Sequence, residues 1–286
     1  MAIGDFQASK WTAKVELLAQ EKSIVSTITN QNYQIDANGA KSVVMNLVDD
    51  ITIGTYTPGS DITVTPLDDT QKILTMDQAK YFAFPVDIVD KTQSTADFMN
   101  AAMTQAGQKI ALTADNYVFG SNTYGDADIP SGNKIGSVGS PETINSSNVL
   151  SKLYAIAEIM DGQNIPRDDN RWVAIPPWFN TKLAIAGVAK QTDNMKTFSF
   201  GVVRQVAGLN IVMSNQLTAL GTGTDEYQIL AFSGRAIPFA TSVQKLQIMD
   251  MENQFAQLVK GLFVFGSKVL FPKEVCLLVG QEAAEA

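Results

Sequence analysis

Catalysis needs groups of suitable pKa held close together, and this chain supplies few of them. In 286 residues it has no histidine and one cysteine, Cys276. Without imidazole there is no Ser-His-Asp or Cys-His triad, no usual transition-metal ligand set, and none of the commonest general base at neutral pH. Only carboxylate, lysine or Mg²⁺-type chemistry remains. Cys276 lies in the apolar run "EVCLLVG" and reads as a buried structural thiol rather than a nucleophile.

The remaining candidates dissolve one by one. Asp49-Asp50, Asp68-Asp69 and Asp168-Asp169 are adjacent acidic pairs in expected turns, where neighbouring side chains diverge, so they read as solvated carboxylates. "GTGTDE" at 221–226 lacks the third glycine and following helix of a dinucleotide loop and reads as a turn between strands. "DAD" at 126–128 lacks the rest of a calcium loop, and Pro130 breaks the spacing. Asn145-Ser146-Ser147 reads as the entry to a helix. Trp172 and Trp178 flank "VAIPP" and could form a stacking platform, although packing at a strand–helix corner is the commoner use. No constellation amounts to an active site, metal site or cofactor site, so the expectation is a protein without catalysis.

Composition narrows the classes further. The hydrophobic fraction of 45% supports a sizeable core, and the length suits one large domain or two ordinary ones. A formal net charge of −8 argues against a protein that clamps nucleic acid, which needs a basic footprint. A lone thiol suits a reducing compartment. The N-terminus has no signal-type apolar region and no stretch is long enough to span a bilayer, which implies synthesis in the cytoplasm and no membrane partner. Trp11, Val15 and Leu18 follow helical spacing. A short arm helix packed on protein is preferred there to a membrane-surface helix.

The elements that would position any site read as follows. Residues 1–40 form an arm. Residues 41–93 form a β-ribbon and its root, with hydrophobic outer parts "SVVMNLV" and "KYFAFPVDIV" around a threonine- and aspartate-rich middle. In "TIGTYTPGSDITV", residues 52–64, the period of two sets Ile51, Ile53, Ile62 and Val64 on one face, with Pro58-Gly59 as the turn. An isolated two-stranded ribbon is marginal in water, so this one needs a surface to lie on. A long helix follows over 94–119, with Ser94 as N-cap, Gly120 as C-cap and Met99, Ala102, Met103, Ala106, Ile110, Thr113 and Tyr117 on one face. Helix 146–162, a strand from Trp172 to Ile175, and a helix entered at Pro177 come next. From Phe198 onward the chain is mainly β, and "LFVFGSKVLF" reads as strands covered on both faces.

That order of elements resembles the major capsid protein family of tailed bacteriophages, the Hong Kong phage capsid fold shared with herpesvirus shells and encapsulins. "DQAKYFAFPVDIVDKTQS", "RWVAIPPWFNTKL", "GVVRQVAGLNIVMSNQL", "GRAIPFATSVQKLQ" and "AQLVKGLFVFGSKVLFPKEVCLLV" carry the resemblance across nearly the whole chain. It implies an α+β fold with an N-arm (1–40), an extended loop and its root (41–93), a spine helix of the peripheral domain (94–119), an apical domain (120–240) and C-terminal strands returning to the peripheral domain (241–286). The implied function is an icosahedral phage head enclosing double-stranded DNA without reading its sequence. The implied partners are copies of itself in hexamers and pentamers, a separate scaffolding protein, a portal protein and, in some relatives, decoration proteins. The implied location is the virion. Ile53, Thr55, Tyr56, Pro58, Gly59, Ile62 and Val64 are the candidate subunit-contact residues. An encapsulin-like compartment shell is the alternative within the fold. A carboxylate-dependent hydrolase is the alternative from another class.

Overall fold

The computed structural model describes residues 23–34, 39–48, 51, 53–59, 61, 64, 69–87, 98–120, 129–167, 170–186, 198–199, 202–203, 205–217, 219–220, 225–252 and 254–284. The expected helix around Trp11, the Ser94 cap, Ile62, and the motifs at 126–128, 168–169 and 221–224 lie outside them. So do Asp49, Asp50 and Asp68.

The centre of the molecule is an eight-stranded mixed sheet. Its main path runs β4 (Lys134–Ile135), β15 (Val275–Glu282), β12 (Glu226–Ser233), β6 (Arg171–Ile175), β10 (Leu209–Met213) and β9 (Gln205–Val206), with β11 (Ala219–Leu220) on β12 and β5 (Glu142–Ile144) on β15. Both faces are covered, so its central strands are apolar at consecutive positions rather than alternately. On one face Ile229, Ala231, Cys276, Leu278, Val173 and Ile175 meet Leu153, Ile156 and Met160 of helix Val149–Gly162, and Phe179 and Leu183 of helix Pro177–Ile185. On the other, Leu230, Phe232, Val275, Leu277 and Ala174 meet Ala114, Val118 and Phe119 from the end of the long helix, and Val25 and Ile28 of the arm. The sequence places two-sided burial in "LFVFGSKVLF", but the structure places it in β6, β12 and β15. In β14 (Ala256–Ser267) Phe265 is buried while Leu262 is exposed, because nothing described covers the outer face there.

The expected helices and strand are present. The long helix is α-helical over Phe98–Asp115 and closes with a widened π turn over Asn116–Gly120. Ala106 and Ile110 are half-buried, as a face laid on a sheet requires. Thr113 departs from the expected face: it is exposed and its hydroxyl donates to the Lys109 carbonyl at 2.8 Å. The buried line runs instead through Ala114 and Val118, four residues apart. Pro177 sits in the first turn of its helix, where no N–H is needed. Asn145 Oδ1 accepts from the Ser147 and Asn148 amides at the entry to helix Val149–Gly162, the turn expected there.

That helix ends in a Schellman arrangement. The Ile165 amide donates to Met160 O at 3.2 Å and the Asn164 amide to Asp161 O at 2.9 Å, with Asn164 at φ +58°. Arg171 then ties this end to the sheet. Its guanidinium is buried and donates to the carbonyls of Ile165 and Pro166 and, at 2.8 Å, to Asp161 Oδ1. Arg167 also bonds Asp161.

Hydrogen bonds from Arg167, then Arg171, hold the Asp161 carboxyl well below the usual carboxylate range. A carboxyl depressed in the folded state contributes stability in full above its unfolded value, near 4, and loses it as pH falls through the folded value. Asp161→Asn should therefore flatten the fall of stability below about pH 4 and lower Tm at neutral pH. An unchanged acid slope in thermal melts would show that these pairs do not hold in solution.

The β9–β10 hairpin turns through Ala207 and Gly208, at φ +53° and +77°. Both central residues of such a turn need positive φ, which suits Asn or Gly and strains Ala. Ala207→Asn should raise stability by about 1 kcal/mol, read as a Tm increase of roughly 2–4 °C. A lower Tm would mean the alanine methyl is needed for packing.

Candidate functional site

Among the described residues no three His, Cys, Asp or Glu side chains gather as a metal site. Cys276 is buried in the main core and burial pushes its thiol up to about 12, which leaves it unreactive. Trp178 packs against Phe179 and Tyr227, each at 5.6 Å, so it is a corner-packing residue. The chemistry of the molecule is one of surfaces and anchors.

The most projecting of these is the ribbon. β1 (Ser42–Val48) pairs antiparallel with β2 (Asp69–Thr75), Val43 opposite Leu74 and Val44 opposite Ile73. Its inner face, Val43, Met45 and Leu74, packs with Met76, Ala240 and Leu270 as a small separate core. Lys72 Nζ reaches the Leu270 carbonyl at 2.8 Å. Gly266 of β14 lies against the Thr75 carbonyl so closely that a Cβ there would overlap it. Only a glycine lets the ribbon seat on β14 this way.

Beyond the root no pairing is present among the described residues. The described residues between Val48 and Asp69 belong to no strand, so the expected hairpin over 52–64 is corrected at Ile53, Thr55, Tyr56 and Val64, while Thr52, Ile62 and Thr63 lie outside the described residues. Pro58 and Gly59 do form a turn, with Gly59 at φ +88°. Thr55, Pro58 and Gly59 are exposed, as are Ile51, Tyr56, Ile53 at 93% and Val64 at 83%. Ile62 lies outside the described residues. The structure thus leaves the described candidate residues in solvent, with no core of their own.

β3 (Gln78–Asp87), expected as the ribbon's return, pairs instead with β14. With β13 (Phe239–Asp250) these make a three-stranded sheet in the order β13-β14-β3. The long helix lies on this sheet, with Gly107, Ile110 and Ala111 facing Phe82, Leu246 and Phe263 across a groove of about 400 Å³. Tyr117 spans from the helix to Asp77 at 3.3 Å, and burial followed by the Asp77 charge pushes its phenol up to about 12. β15 does not join these strands, so the block 241–286 divides between two sheets.

The arm is anchored more firmly than its polar sequence suggests. Asp115, buried at the end of the long helix, accepts from Ser23 Oγ at 2.8 Å and from the amides of Ile24 and Val25, each at 3.0 Å. These are first-turn amides of the short helix Val25–Ile28, which has no partners of its own for them. Further on, Gln34 treats Thr241 as a strand would. Its Oε1 accepts the Thr241 amide at 2.9 Å and its Nε2 donates to the Thr241 carbonyl at 2.8 Å. No local pattern marks Asp115 or Gln34, because their partners lie about 90 and 207 residues away.

An arm, a β-ribbon rooted on a three-stranded sheet that carries a long helix, and a second sheet with helices on both faces define the tailed-phage major capsid fold. Solved structures match it over nearly the whole chain. A structure of Mycobacterium phage Che8 matches at a TM-score of 0.75 and 20% identity, covering 97% of this chain and 98% of that one. The capsid structure of cyanophage P-SCSP1u matches at 0.76 and 19%, covering 98% and 94%. The capsid of Ralstonia phage GP4 matches at 0.70 and 12%, covering 100% and 98%. No protein-family model and no curated protein matches the chain. At these identities the likeness is one of fold.

Asp115→Ala would leave the Ile24 and Val25 amides buried without acceptors, each worth about 1–3 kcal/mol. The expected outcome is a stability loss of about 3 kcal/mol and rapid proteolysis near residues 23–34. Wild-type protease resistance would place the arm's anchor elsewhere.

Proposed function

We propose that this chain is the major capsid protein of a tailed bacteriophage, which assembles with copies of itself into hexamers and pentamers of an icosahedral head. Its support is the match of nearly the whole chain to phage capsid structures. The exposed ribbon tip adds a physical reason. Ile51, Ile53, Tyr56 and Val64 stand in water on a segment with no core behind it, and a neighbouring subunit is the surface that would cover them.

In this reading residues 1–40 are the arm, 41–93 the extended loop and its root, 94–119 the spine helix, 120–240 the apical domain and 241–286 the returning C-terminal strands. The head encloses double-stranded DNA without reading its sequence. A net charge of −8 suits a wall that does not grip the duplex, since tight phosphate contacts would slow packing and release. The protein catalyses nothing; a scaffolding protein and a portal protein assist it, it is made in the host cytoplasm, and it ends in the virion.

Sedimentation and electron microscopy of the purified chain test this, with closed shells expected and a stable ordered monomer at high concentration overturning it. Ile53→Asp with Val64→Asp separates assembly from folding. Both side chains are almost wholly exposed, so subunit Tm should change by no more than about 0.5 kcal/mol equivalent while closed shells disappear. Normal particles from this variant would remove the tip from the contact.

A further inference from the structure

Among the described residues the two edges of the three-stranded sheet pair with no further strand, and they are not equivalent. β3 carries Pro85 opposite Leu258. Proline has no N–H, so the donor row of that edge is interrupted, a common way of blunting an edge strand. β13 contains no proline. Its first part is already used: the Gln34 amide brackets Thr241, and the Gly39 amide donates to the Ser242 carbonyl at 3.0 Å. From Lys245 to Asp250 every residue is exposed, and no described strand pairs with the outer edge. Leu246, Ile248 and Met249 are among the exposed large apolar side chains of the molecule.

We infer that this edge is a contact between copies of the chain, in which β13 pairs antiparallel with β13 of a second copy about a two-fold axis at Gln247. A two-fold axis normal to a sheet keeps each side chain on its own face, so facing residues must be an even number apart. Centred on Gln247, Leu246 faces Ile248 twice, Lys245 faces Met249 and Gln244 faces Asp250. Leu246 and Ile248 meet each other, Met249 lies along the Lys245 stem and no like charges oppose. A centre at Leu246 would set Ile248 against Gln244, and one at Ile248 would set Leu246 against Asp250. The contact is isologous, the kind that two-fold symmetry between subunits requires. It joins two three-stranded sheets into one of six strands. The inference rests on the shell reading for the crowding of copies that makes so short a contact effective.

Gln247→Cys tests it. At the axis the two cysteines fall within disulfide reach, whereas two copies of Lys245→Cys would stand about 14 Å apart, beyond it. Mild oxidation followed by non-reducing electrophoresis should give at least about tenfold more disulfide dimer from Gln247→Cys than from Lys245→Cys. Cys276 is buried and gives no background. Absence of the dimer, or equal yields from the two variants, overturns the contact. Sedimentation of the unmodified chain reads the shell separately. Particles without the dimer overturn the edge contact alone. The dimer without particles upholds the contact and overturns the shell. Neither particles nor dimer overturns both.

Discussion

The buried carboxylate of Asp115 is the joint on which the rest of the subunit hangs. A charge without access to water is strongly unfavourable unless donors surround it, and those donors are the Ser23 hydroxyl and the first amides of the arm helix. Satisfying the carboxylate brings the arm to the end of the long helix. Val25 and Ile28 then complete the core against the large sheet, beside Val118 and Phe119. The same helix end presents Tyr117 edge-on to Phe265 at 5.5 Å. Arm, long helix, large sheet and three-stranded sheet therefore meet within a few side chains of one ionic centre.

Rigidity and exposure are divided cleanly between the two sheets. The large sheet has helices on one face and the arm with the long helix's end on the other, and its central strands β6, β12 and β15 bury nearly every apolar side chain. Most exposed large apolar residues lie on the ribbon, such as Val44, Ile53, Tyr56 and Ile73, or on the three-stranded sheet, such as Tyr81, Leu246 and Ile248. Apolar side chains gathered on two features in this way are characteristic of contact surfaces.

Periodicity made the regular elements legible. Spacings of three and four located the long helix, and Pro177 marked a helix entry that the structure keeps. Two-sided burial was misplaced, because a continuous apolar run such as "LFVFGSKVLF" does not reveal which of its faces finds a cover. In the ribbon, alternation from Ile51 to Val64 reads as strand, yet no described residue between Val48 and Asp69 lies in one, and the ribbon residues buried in the small core are Val43, Met45 and Leu74. Asp115, Gln34 and Arg171 could not be read at all. Each is a polar residue whose meaning depends on backbone groups supplied by another part of the fold.

The position of β15 carries a consequence for how the molecule comes into being. This strand is not an edge but lies between β4 and β12, so β4 and β5 join the large sheet only once Val275–Glu282 is in place. The strands and helices that precede it in the chain therefore depend on the last-made segment for part of their cover. A polypeptide broken off before Val275 lacks Cys276 and Leu278 of one core and Val275, Leu277 and Val279 of the other, so the last strand completes both faces of the sheet at once.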